Sequence, residues 1–249
     1  MKKLFERYQR IILIVFVTLF STSLNLGQTF GFGCLGLSGF YAGFTKQQYN
    51  TDGINQFINS KFLSTSNKIN FKEGSGYRIG TNLFRAKFEG FFISAKGYYQ
   101  FLKETHELVE ISVPNSAKDK YTLNMNHWGL AIDFGVPIIS FIDLKLLEGG
   151  VQFFNIDFNH QYYLNDLIQN EKKYEPEKSK VSYFIGSGLI IHLIPDYISV
   201  EGTAAYSFIK YEKLVSAEGS SIPTLATGKI PFDKGGFSAT VQLNIGFPL

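Results

Sequence analysis

The sequence predicts an all-β chain: an eight-stranded antiparallel up-and-down transmembrane β-barrel, with short helices in long loops on one end. Three observations carry this. About eight segments, near 29–44, 75–86, 90–105, 121–136, 141–162, 179–194, 197–213 and 235–247, alternate apolar residues with small or polar ones, the period of a strand with two unlike faces. The links alternate long (45–74, 106–120, 163–178, 214–234) and short (around Lys87–Glu89, Pro137–Ser140, Pro195–Asp196). Beyond residue 27 no stretch approaches 18 consecutive apolar residues, so any membrane insertion is by strands rather than helices.

Before these segments lies a leader. Lys2, Lys3, Arg7 and Arg10 precede the apolar run Ile11–Phe20, followed by Ser21, Thr22, Ser23 and Asn25. A basic start, a short apolar core and small residues make a secretory signal, placed at 1–27, with 28–249 as the barrel. Removing the leader's Lys2, Lys3, Arg7, Arg10 and Glu6 takes 24 basic and 21 acidic residues to 20 and 20. The sequence pI of 8.7 therefore belongs to the leader and is not the footprint of a nucleic-acid binder. A single cysteine, Cys34, excludes an internal disulfide. The 25 Phe and 14 Tyr suit a barrel with aromatic girdles.

The strands read by face choose between two barrels. Phe237, Ala239, Val241, Leu243, Ile245 and Phe247 alternate with Ser238, Thr240, Gln242, Asn244 and Gly246. Trp128, Leu130, Ile132 and Phe134 alternate with His127, Gly129, Ala131 and Asp133, and 183–193 and 198–208 behave alike. A soluble barrel would place the apolar face inside and spread charge over its exterior. Here the strand charges are few and lie mostly opposite the apolar face, which favours apolar-out with the charges in a narrow lumen. All seven prolines are expected outside strand interiors. The fifth segment is the least regular: Glu148 would follow Leu144 and Leu146 outward, with a bulge at Gly149–Gly150.

The leader, the loop alternation and the terminal strand Phe237–Phe247 resemble the small outer-membrane β-barrel proteins of Gram-negative bacteria, the kind that includes OmpX, OmpW and the transmembrane domain of OmpA. The resemblance is one of architecture and covers nearly all of 28–249. It implies export through the periplasm to the outer membrane, insertion by the barrel-assembly machinery, and contact with outer-membrane lipid and lipopolysaccharide. Such proteins usually end on an aromatic residue; this chain ends Phe247-Pro248-Leu249.

Candidate functional residues fall into groups. Arg78, Lys96, His127, Asp133, Asp143, Lys145, His192 and Glu201 are expected in the lumen as a polar network, a structural plug rather than an ion path, because eight strands leave room only for side chains. Ile54, Phe57, Ile58 and Phe62 follow helical spacing after Thr51–Asp52, and Leu164, Leu167 and Ile168 suggest a second short helix; together they are expected to cap the mouth or line a site for an apolar ligand. His106, His160, Glu107, Glu110 and Asp157 are rim-level, with Ser112 and Ser116 nearby, but no motif singles them out as catalytic. The four histidines have no metal-ligand spacing. Loop lysines, among them Lys46, Lys61, Lys68, Lys72, Lys172, Lys173, Lys178 and Lys180, are solvated or meet lipopolysaccharide phosphates.

The expected role is structural or surface-interacting, in a monomeric, non-enzymatic barrel without a wide pore, cofactor or metal. The alternative is binding or passage of a small hydrophobic ligand through the loop-capped mouth; the third reading is a lipid-modifying enzyme.

Overall fold

A computed structural model describes residues 38–61, 68–112, 115–223 and 228–246. The leader, Cys34, Phe62 and the end Phe247–Leu249 lie outside them. The strands are β1 (Gly39–Gln48), β2 (Glu73–Lys87), β3 (Phe92–Ser112), β4 (Asn115–Ile139), β5 (Ile142–Leu164), β6 (Leu167–Pro176), β7 (Val181–Ile194), β8 (Ile198–Phe208), β9 (Leu214–Ser216), β10 (Ser221–Ile222) and β11 (Gly236–Gly246), with one helix, α1 (Asp52–Asn59).

Eight strands form a closed antiparallel ring, β1-β2-β3-β4-β5-β7-β8-β11, shut by β1 on β11 and by β5 on β7. Three further strands, β6, β9 and β10, extend the sheet from the upper half of β5. The face assignment is as the alternation indicates. Trp128, Leu130, Ile132 and Phe134 are exposed on the outside of β4, while His127, Ala131 and Asp133 are buried inside. From Trp128 to Ile138 the outward face stays apolar, about the 9–11 residues a tilted strand needs to cross hydrocarbon.

Beyond Trp128 the polarity reverses without a change of phase. On β4, Tyr121, Leu123 and Met125 are buried inside, while Asn124 and Asn126 face out. On β5, Phe154, Ile156 and Phe158 are buried inside while Asn155 and Asp157 face out. The chain is thus a membrane protein below this level and an ordinary water-soluble sheet above it. An aromatic belt marks the change: Phe44, Tyr77, Phe101, Trp128, Phe153 and Phe208 are all exposed there.

Three expectations are corrected. Segments 106–120 and 163–178 are not loops: β3 and β4 continue upward as one hairpin, and β6 pairs back on β5. Leu164, Leu167 and Ile168 form no helix; Asn165 and Asp166 have φ of 50° and 62°, the two left-handed residues of a tight hairpin turn, and Leu167 and Ile168 are exposed rather than capping. Pro137 lies inside β4, tolerated because the ladder slips there, between Pro137 and Ile139. Ends also move: the first strand runs on to Gln48 rather than stopping at 44, its expected start at 29 lying outside the described residues, and β8 stops at Phe208 rather than 213.

The interior is packed by large rings set against glycines. A Cβ on Gly129 would lie 2.1 Å from the Tyr98 ring, and one on Gly80 would lie 2.4 Å from the Tyr41 ring. Gly202, on the outer face, meets nothing within 4 Å. Overpacking a filled interior costs about 1–3 kcal/mol. Gly129→Ala should therefore lower the urea midpoint of the reconstituted barrel, whereas Gly202→Ala should leave it unchanged; equal midpoints would contradict the ring-in-notch packing.

Candidate functional site

The barrel is filled at two levels. The lower is ionic. Lys96 Nζ lies 2.7 Å from Glu201 and 2.8 Å from Asp133. Lys145 Nζ lies 2.7 Å from Glu148, contacts Glu201, and is 3.6 Å from Asp133. Ser94 Oγ donates to Asp133 (2.9 Å), and the Gln242 and Asn244 amides donate to Glu201 (3.2 and 3.3 Å). Arg78 donates to Gln100 (2.7 Å) and lies over the Tyr98 ring at 4.3 Å. With Arg78, three cations here balance three carboxylates, all buried. His127 contacts Gln152 (3.2 Å) one layer higher.

The network contains a residue the sequence pointed outward. The β5 bulge falls at Leu146–Leu147, not at the glycines, so two consecutive leucines face lipid and Glu148 turns inward. Asp143 and His192 stand apart from the rest. Asp143 accepts from His192 Nε2 (2.8 Å) and from Arg85 (2.9 Å), a side chain not anticipated in the lumen. Asp143 and His192 line a vestibule of about 540 Å³ at the tight-turn end.

The upper level is apolar. Leu102, Tyr121, Leu123, Met125, Phe154, Ile156 and Phe158 from the wall meet Ile54, Phe57 and Ile58 of α1 and Tyr211, Leu214, Ile222 and Phe232 of the later segments. Polar contacts seat the helix. Asn55 accepts from the Phe71 amide (2.7 Å) and donates to its carbonyl (3.0 Å); Asn59 does the same for Ile69 (3.1 and 2.8 Å). The Thr51 hydroxyl donates to the Phe71 carbonyl (2.6 Å) rather than capping α1. Glu104, unremarked in the sequence, ties this plug to the wall: it accepts from the Tyr49 hydroxyl (2.5 Å), the Lys72 and Glu73 amides (both 3.1 Å) and His106 (2.8 Å). Burial, reinforced by that bond, holds the Tyr49 phenol far above its ordinary range.

At the rim, His160 Nε2 is 2.5 Å from Asp119 and its ring stacks flat on Tyr121. His160 and Asp119 border a crevice of about 440 Å³ with Phe57, Lys61, Lys172, Tyr174 and Ser220. Neither His160 nor His106 is hydrogen-bonded to a serine among the described residues, and the Ser220 hydroxyl bonds Ser216 (2.6 Å). Asp157 holds Asn124 (2.8 Å), and Glu107 pairs with Lys120 (3.2 Å). The side chains of Glu110 and Ser112 lie outside the described residues.

A closed antiparallel ring with an apolar belt outside and side chains filling its interior is a small transmembrane β-barrel of the outer-membrane type. Among solved structures, similarity is found to Ail, the attachment invasion locus protein of Yersinia pestis (13% identity, 86% of this chain and 99% of that one, TM-score 0.40). The same protein in complex with the heparin analogue sucrose octasulfate matches at 15% identity over 86% and 99% (TM-score 0.38). Neisserial surface protein A matches at 9% identity over 85% and 99% (TM-score 0.41). No protein-family model and no curated protein sequence matches the chain.

Glu201 is the pivot of the ionic layer. Removing one partner of a buried pair costs about 3–5 kcal/mol, whereas replacing the pair by apolar groups of similar volume is often neutral. Glu201→Gln should lower unfolding stability in lipid vesicles by about that amount. Glu201→Leu combined with Lys96→Met should lose less than the two single changes summed. Additive losses would deny the coupling.

Proposed function

We propose that this chain is a monomeric outer-membrane barrel that works through its outer surface, as a structural or surface-interaction protein with no wide pore and no chemistry of its own. The observation that carries the reading is the filled interior: an ionic layer below and an apolar plug above. With the lumen taken up, the remaining elaborated surface is the upper sheet. From Phe101 at the belt to Ser112, β3 rises roughly 35 Å along the strand. Near its top Val109, Lys118, Tyr163 and Ile168 form one outward row across β3, β4, β5 and β6, with Val109 and Ile168 more than half exposed. Such an apolar tip, held in a paired sheet, suits contact with another surface.

A second reading, passage of a small hydrophobic ligand, is favoured by one feature. Between Phe153↔Val181 and Phe158↔Tyr174, β5 changes partner, and residues 154–157 have no cross-strand partner on that side. Phe154 and Ile156 there belong to the apolar plug.

Three measurements separate the readings. In planar bilayers the purified chain is expected to give no stable conductance steps; large, long-lived steps would overturn the filled-lumen reading. Cells displaying Val109→Asp with Ile168→Asp should keep a folded, heat-modifiable barrel and lose adhesion to one another and to coated plates. Unchanged adhesion would remove the hairpin tip as the contact surface. A stoichiometric apolar compound retained by the gently extracted barrel would put the second reading first.

A further inference from the structure

The lipid-facing wall over β1 to β4 carries a feature that neither plug nor tip explains. Cross-strand register sets three rows one above another. The top row is Lys46, Ser75 and Lys103; the next is Phe44, Tyr77 and Phe101. Below them Tyr99 pairs with Trp128, their rings 4.8 Å apart. Beneath that the wall hollows into a groove of about 640 Å³ lined by Phe40, Ile79, Leu83, Gly97, Tyr99 and Trp128.

The hollow at Gly97 is not forced by packing. A Cβ there would meet Leu83 Cδ1 at 3.6 Å and Leu130 Cδ2 at 3.7 Å, ordinary contact distances, unlike the inward glycines that yield to tyrosine rings. The cations above lack strong partners. Lys103 is exposed and makes no ion pair among the described residues. Lys46 meets Glu73 at 3.0 Å, but both are solvent-exposed, where such a pair is worth little. The nearby Asp157 is held by Asn124.

We propose that this wall binds one anionic, phosphate-bearing lipid of the surrounding outer leaflet. Lys46, Ser75 and Lys103 take the phosphate, and an acyl chain runs past the Phe44–Tyr77–Phe101 row into the groove at Gly97. Dimensions agree. Lys103 and Gly97 are six residues apart on β3, about 20 Å of strand. At a tilt of 35–45° that is about 15 Å of depth, half of a hydrocarbon core about 30 Å thick. A phosphate at Lys103, one row above the aromatic boundary, thus carries its acyl chain past the groove. The proposal rests on the outer-membrane reading above, with the long hairpins outward.

Trp128, the chain's single tryptophan, lines the groove and reports on it. The full chain is reconstituted in phosphatidylcholine vesicles containing, at equal mole fraction, phosphatidylglycerol or phosphatidylcholine with brominated acyl chains, which quench tryptophan on contact. Brominated phosphatidylglycerol is expected to quench Trp128 the more strongly. That preference should fall about fivefold for each of Lys46→Ala and Lys103→Ala, the worth of one basic residue at an anionic surface. Gly97→Leu, which fills the groove in space open to it, should abolish the preference while the barrel stays folded. Equal quenching by the two lipids in the unaltered chain, or a preference that survives loss of both lysines, overturns the proposal. No quenching by either lipid overturns the membrane-spanning reading itself.

Discussion

Hydrocarbon offers no partner to a backbone amide, so a sheet that enters it has to close on itself. Closure here falls to β5. Its lower half pairs with β7 and completes the ring; its upper half pairs with β6 and leaves the ring. The switch occurs just above Phe153, in the aromatic belt. Below that level an open edge would be intolerable. Above it water can satisfy the backbone, and the sheet is free to spread into β6, β9 and β10. The upper architecture is therefore permitted only because the ring has already closed beneath it.

The same boundary sets what fills the inside. Within the membrane the exterior takes the apolar side chains, so the interior must hold polar ones, and an eight-stranded lumen is too narrow to hydrate them as bulk water would. Buried ions are then tolerable only when paired, which explains why Lys96 and Lys145 share Glu201 and lie together against Asp133. Above the belt the exterior is wet, so apolar side chains move inside, and α1 with the later segments completes a core the strands could not close alone. One strand phase serves both regimes because side chains alternate regardless of solvent.

That economy also decides what the sequence reveals. The ring and its faces were legible because period two is undisturbed from Trp128 to Ile138 and from Phe237 to Ile245. The upward continuations were not, because His106, Glu107, Lys118 and Lys120 read as loop when the reversed polarity is not anticipated. Leu164, Leu167 and Ile168 mimicked helical spacing; the corrective signal was Asn165-Asp166, a pair suited to a left-handed two-residue turn. Ile54, Phe57 and Ile58 had the same spacing with no such turn inside it, and there the helix forms. Glu148 entered the lumen through a bulge at two leucines, which no residue type announces. Glu104 was missed for a different reason: its partners, the Lys72 and Glu73 amides, are backbone groups about thirty residues away that no spacing rule connects.

The plug has a consequence for the surface above it. A long hairpin standing on a membrane would ordinarily be mobile, and ordering it on contact would subtract from binding. Here the bases of β3, β4 and β5 are fastened from within by Leu102, Tyr121, Leu123, Met125, Phe154, Ile156 and Phe158, and the first loop is tied to β3 through Glu104. Above that core, β4 remains paired with β3 as far as Ser112↔Asn115 and with β5 as far as Leu164. Val109, Tyr163 and Ile168 are thereby presented at a fixed height on a sheet whose ordering has been met during folding. An apolar core that fills the mouth also fastens the sheet standing above it, so the same side chains support the proposed surface role over the proposed conduit.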